Sequence, residues 1–130
     1  MNVRLLRKIQ KHILTEPRRL IMRIFVAHAE TYGPTYEGDS GHAVRFPTCK
    51  TAACISGWAC LLTKQKRIKA YWARGRRILD LSEGQAIRLF IDTQWPQPFS
   101  DQYGNATTPR MRARIAVRRI DHFIKTKGAE

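Results

Sequence analysis

Acidic residues are scarce in this sequence. Ten Asp and Glu stand against twenty-four Lys and Arg in 130 residues, and residues 40–79 contain no acid at all. That shortage excludes a surface neutralised by its own ion pairs. It also argues against carboxylate chemistry, because the ten acids are scattered singly and none makes a metal-binding run. Long apolar runs are missing too. The longest, within 52–62, is far below the roughly 20 residues a helix needs to cross a bilayer. No unbroken apolar stretch near the start reads as a secretory signal. The cysteines are three, Cys49, Cys54 and Cys60, an odd number within twelve residues and without a C-x-x-C pair. These absences lead us to expect a soluble cytoplasmic protein with reduced thiols and no membrane partner. There is no glycine-rich phosphate loop, and "GDSGH" is only a polar turn. Nothing in the sequence calls for a cofactor.

What remains is charge of one sign. The formal net charge is +14. Such an excess destabilises the compact state by self-repulsion and draws a protein toward polyanions. The densest stretch is "KQKRIKAYWARGRR", residues 64–77, with seven cations, two aromatics and no acid. An ordinary solvated helix mixes signs, and each i,i+4 pair contributes about 0.2–0.5 kcal/mol. This stretch forgoes those pairs, so a phosphate-bearing partner is the better explanation. Lys64, Lys66, Arg67, Lys69, Arg74, Arg76 and Arg77 are the expected contacts. A helix from Lys69 would place Trp72 and Arg76 four apart, where a base could stack. The plainer reading buries one of the two rings.

The chain length suits one domain, and the apolar share of 43% suits a globular one. Residues 3–14, "VRLLRKIQKHIL", have helical periodicity, with Leu5, Leu6, Ile9 and Ile13 on one face and Arg4, Arg7, Lys8 and Lys11 opposite. Glu16-Pro17 ends the helix. "RRLIMRIFVAHAETYG" fits either a strand or a short helix, and residues 33–48 read as a loop. Thr51 is a reasonable N-cap for an uncharged helix over 52–63, and such a helix is a buried one. Gly57 within it suits close approach by a neighbouring helix. A further helix ends near Leu79. "LSEGQAIRLF" restarts one with Ser82 and Gln85 at capping-box spacing. "QWPQPFSDQYG" reads as turns. Thr108-Pro109 opens a last helix to about Lys125. It would bury Ala113, Ala116, Val117, Ile120, Phe123 and Ile124, with Arg114, Arg118 and Lys125 outside. The expected fold is all-α, about five helices around the 52–63 helix, with an irregular or short β segment near the N-terminus.

"CKTAACISGWA" resembles the C-G-T-x-x-C-I-A-G-W-A signature of small bacterial and phage proteins with no settled activity. "LDLSEGQAIRLF", "QWPQPFSDQY" and "RARIAVRRIDHFIKTKGAE" resemble later segments of the same group. The sequence departs from the pattern at Lys50 and Ser56, where the signature has Gly and Ala. The resemblance implies a phage or mobile-element origin and assigns no chemistry.

Three functions follow as expectations. The first is non-enzymatic binding of nucleic acid or a nucleoprotein complex, DNA or RNA, through phosphates. Residues 64–77 would be joined by Arg7, Lys11, Arg114 and Arg118. "RRILDLSEGQAIRLF" has the outline of a helix-turn-helix, but its second helix begins with Glu83 and offers only Arg88 as a cation, so weakly sequence-specific contact is expected. The second is an anti-CRISPR-like inhibitor of a host defence complex, acting by protein contact. The third is an enzyme. Cys49 beside Lys50 could pair with His28 or His42 as nucleophile and base. Zinc held by Cys49, Cys54, Cys60 and a histidine is disfavoured by spacings of four and five and by the divergent directions of Cys54 and Cys60 on a helix.

Overall fold

The chain is described by a computed structural model at residues 1–22, 26–28, 51–63 and 71–130, with main chain alone at 26–28, Thr51 and Tyr71. The first helix, α1, runs Val3–Thr15. The Asn2 side chain accepts from the Leu5 N–H at its start, and Leu5, Leu6, Ile9 and Ile13 are buried as their spacing predicts. A 3-10 turn, Pro17–Arg19, follows the expected stop. Two short strands come next, β1 at Val26–His28 and β2 at Thr51–Ala53, antiparallel with Ala27 opposite Ala52.

The buried central helix is shorter than its sequence suggests. α2 spans Ile55–Leu61, and every residue in it is buried. Its N-cap is Cys54, whose sulfur accepts from the Gly57 N–H at 3.4 Å, and not Thr51. Thr51 to Ala53 pair with β1 instead, and Ala53 also accepts from the Ile21 N–H. Ladder bonds from a distant segment have overridden local helix preference. At the other end the Thr63 hydroxyl donates back to the Ala59 and Cys60 carbonyls.

Four more helices complete the all-α domain: α3 at Tyr71–Ile78, α4 at Glu83–Phe90, α5 at Phe99–Gly104 and α6 at Pro109–Lys125. The Ser82–Gln85 capping box forms in both directions at the start of α4. Thr108 caps α6 through the Met111 N–H. The stretch expected to be turns holds a 3-10 turn, Asp92–Gln94, and α5. Prolines placed before α5 rather than within it permit that helix. Six helices are therefore described where about five were expected.

One core joins all six helices. At its centre lies Trp58 of α2, 2% exposed. Its indole N–H donates to the Arg19 carbonyl at 3.1 Å. The His12 ring lies 4.1 Å from the indole centroid and the Arg19 guanidinium 4.8 Å from it. Burial, reinforced by the Arg19 charge, lowers the His12 pKa, with Glu16 opposing. A base with a depressed folded-state pKa stabilises the fold above its unfolded value, about 6.5, and that stability is lost as pH falls toward the folded value. The urea midpoint should therefore fall between pH 7 and pH 5, and His12→Gln should flatten the fall. Equal pH slopes for parent and variant would show that His12 is not held neutral.

Candidate nucleic-acid interface

α1 and α6 lie side by side and antiparallel. Arg7 pairs with Asp121, and three residues further along α1 the buried Gln10 donates to the Val117 carbonyl at 2.9 Å. Gln10 also accepts from Arg7 at 2.9 Å, so the side chains of the seam hold one another. Burial works to raise the Asp121 carboxyl. The Gln10 and Arg7 side chains and the Lys125 charge outweigh it, so the net shift is downward. The pair is well exposed, and its effect is register more than stability.

That register sets two rows of cations next to each other. On α6 the exposed Arg114, Arg118 and Lys125 recur at intervals of four and seven, which is one ridge of a helix. On α1 the exposed Arg4, Lys8 and Lys11 recur at four and three, with Arg7 leaning across to the seam. Arg118 leans the other way. It reaches Gln102 of α5 at 3.4 Å and lies 5.9 Å from the Phe99 ring. Beyond α1, the Lys8 ammonium donates to the Leu62 carbonyl, at the C-terminal end of α2. Arg74 of α3 is close enough to Cys60 for its charge to act on that thiol. Lys8 and Arg74 thus both attend the end of α2, where the helix dipole is negative. The start of α1 is tied to the end of α3 by the Asn2 N–H and side chain, which donate to the Leu79 and Ile78 carbonyls.

Of the described acids, Glu83, Asp92 and Asp101 sit on α4, the turn after it and α5, while Glu16 follows the end of α1, Asp80 pairs with the Met1 ammonium at its start, and Glu130 lies 3.1 Å from the His122 ring nitrogen of α6. Among the described residues of α1 and α6 the one acid is Asp121, already engaged by Arg7. Cations on two neighbouring helices repel each other through water, and a partner that neutralises them would relieve this repulsion.

Of the residues expected to form the site, Arg7 and Lys11 stand on α1 and Arg114 and Arg118 on α6, the helix packed against it, while Arg74 lies near Cys60 of α2. Arg77 is exposed on α3 and Arg76 is half-buried there. Trp72 is half-buried, with its ring edge-on to Phe90 at 5.3 Å, so the plainer reading of this ring is the observed one. Among the described residues the cation–ring contacts involve Arg19, Arg118 and Arg119, not Arg76 with Trp72. Lys64, Lys66, Arg67 and Lys69 lie outside the described residues, as do Cys49, His42 and the His28 side chain. Arg4, Lys8 and Lys125 are exposed on the same two helices. Their helical spacing was the available signal.

Other cations serve the fold. Arg112 donates to the Ala106 carbonyl, and Arg88 turns inward to the Gly128 carbonyl, which removes the one cation a reading helix at α4 could have offered. Arg119 is fully buried. It donates to the main-chain oxygens of Arg88 and Glu130 at 2.9 and 2.6 Å, and the Phe123 and Phe99 rings lie 5.3 and 6.0 Å from its guanidinium carbon. Burial and the neighbouring Arg88 charge lower its pKa to about 10, so it stays charged at neutral pH.

The two described thiols have the character of core residues. Burial pushes Cys54 up to about 11 and Cys60 up to about 12, far from a reactive thiolate. Among the described residues no group of three or more His, Cys, Asp or Glu could hold a metal ion. No helix among them is long and apolar enough to cross a membrane. Comparison with protein-family models, curated proteins and solved structures finds no match to this chain.

Proposed function

We propose that this chain binds nucleic acid, alone or within a nucleoprotein complex, through phosphate contacts and without chemistry of its own. The observation that carries the reading is the antiparallel seating of α1 on α6, which sets Arg4, Lys8 and Lys11 beside Arg114, Arg118 and Lys125. Within the described α1 and α6 themselves the single acid, Asp121, is already engaged by Arg7, which supports it. The likeness of "CKTAACISGWA" to a phage-protein signature is consistent with an accessory role in a mobile element.

The test is a salt titration. Nuclease-treated protein is added to a labelled oligonucleotide, and affinity is followed against salt. Each phosphate neutralised contributes about −0.9 to the log–log slope for duplex DNA and about −0.7 for single strands. Changing Lys11, Arg114 and Arg118 together to Ala should weaken binding at least about tenfold and make the slope shallower by about two to three. These side chains are exposed, so the fold should be retained, which circular dichroism would verify. Parent-like affinity and slope in the triple variant would remove this face as the site. A protein partner retained after nuclease treatment, with no affinity for the oligonucleotide, would favour the defence-complex inhibitor instead.

A further inference from the structure

We infer that the nucleic acid taken by this face is a duplex, gripped with one row of cations toward each backbone across a groove. The inference rests on the phosphate-binding reading above and adds the form of the ligand.

The argument begins with rigidity. Both rows stand on helices, and their relative register is fixed by the Arg7–Asp121 pair and by the buried Gln10 bonded to the Val117 carbonyl. At 1.5 Å per residue, Arg114 to Lys125 covers about 16 Å and Arg4 to Lys11 about 10 Å. Packed helices lie about 8–10 Å apart, and the grooves of a B-form duplex are about 6 and 12 Å wide. That spacing falls between the two groove widths, so two lines of cations on packed helices are on the scale of two lines of phosphate whose positions are also fixed. A flexible single strand would have to be ordered before it could meet both rows, and that ordering opposes binding.

The aromatic residues support the same reading. Single strands are commonly held by stacking bases on exposed rings. Here Trp58, Phe90, Trp95, Phe99, Tyr103 and Phe123 are buried, and Trp72 is half-buried against Phe90. The described residues therefore give the α1–α6 face cations and no stacking platform. On this face affinity would come from phosphate density, which is highest on a duplex, about one charge per 1.7 Å of axis. Among the described residues α4 is poorly suited to base reading, since it opens on Glu83 and its Arg88 is committed to Gly128.

The experiment compares three labelled ligands of equal length: duplex DNA, duplex RNA and an unstructured oligo-dT. Binding to the full chain is measured between about 50 and 200 mM salt. At least one duplex should bind about tenfold or more tighter than oligo-dT at the middle of that range, and the tighter duplex identifies the source of the backbone. Two pair variants, Arg4→Ala with Lys11→Ala and Arg114→Ala with Arg118→Ala, should each make the duplex slope shallower by about 1.8, and by about twice that when combined. Oligo-dT binding as tightly as both duplexes would overturn the inference and leave the nucleic-acid reading in place. A change of slope from only one of the two pairs would overturn the two-row grip. Failure to bind any of the three at the lowest salt would overturn the reading on which the inference rests.

Discussion

Trp58→Ala should destabilise the protein by about 3–5 kcal/mol, the usual cost of emptying a core site of this size. The indole is 2% exposed on a helix that is itself wholly buried. Its loss would also remove the indole hydrogen bond to the Arg19 carbonyl, the His12 ring's contact with the indole and the face beneath the Arg19 guanidinium. These contacts join α1, the turn after it and α2, so the damage should spread across elements distant in sequence. Since a domain of this kind is stable by only about 5–15 kcal/mol, the variant should be close to unfolded at growth temperature. Trp58→Phe keeps most of the ring surface and removes the indole N–H. It should cost about 1–3 kcal/mol, part of that from the lost hydrogen bond to the Arg19 carbonyl. Urea unfolding followed by circular dichroism measures both. A loss under about 1 kcal/mol for Trp58→Ala would mean that α2 is not the centre of the core.

What could be read from the sequence was mostly local chemistry. Leu5, Leu6, Ile9 and Ile13 marked the inner face of α1, Ser82 with Gln85 marked the start of α4, and Thr108-Pro109 marked the start of α6. Each signal lies within a few residues of what it specifies. Where the outcome depended on a distant partner, the local pattern misled. Thr51 has the chemistry of a helix cap, yet β1 lies more than twenty residues away and claims that segment as a strand. On α6 the expected buried set included Val117 and Ile124, but these are only half-buried, while Ile115 and Arg119 are buried. α1 covers one flank of that helix and α5 the other, so the inner arc is rotated from the position a simple apolar stripe suggests. Arg119 shows why composition alone cannot place charge. It sits among equally basic neighbours and differs from them only in what folds over it, namely Phe99, the end of α4 and residue 130. The cations of the candidate interface were visible as two helical stripes. Their adjacency was not, because it rests on Asp121, a lone acid whose partner is 114 residues away.

Gly75→Ala should be the most damaging single-methyl change on α3. α3 lies against α2 so closely that a Cβ at Gly75 would stand 2.1 Å from the Ser56 hydroxyl oxygen and 3.1 Å from both the Ser56 Cβ and its carbonyl oxygen. The close approach onto α2 thus comes at Ser56, the neighbour of the glycine at which the sequence suggested it. Rotating the serine hydroxyl would relieve the shortest contact alone. The other two involve atoms that cannot move without the helix, and Ser56 is fully buried. Overpacking of this kind costs about 1–3 kcal/mol, occasionally more, and the effect must also exceed the roughly 1 kcal/mol that Ala gains over Gly within a helix. A 2.1 Å contact puts the cost at the upper end of that range, so we expect a net loss of about 2 kcal/mol for Gly75→Ala and a larger one for Gly75→Val, whose branched side chain adds two further atoms to a site with no room for one. The compensating change distinguishes a steric cause from a general weakening of α3. Ser56→Gly removes both side-chain atoms that the new methyl would meet, so Ser56→Gly with Gly75→Ala should recover at least half of the loss by urea midpoint, despite the cost of a second glycine in α2. If Gly75→Ala left the midpoint unchanged, or if the double variant were simply the sum of two losses, the two helices would not be in contact at this point. Arg74 would then lose its place at the end of α2, and α3 would no longer extend the basic face formed by α1 and α6.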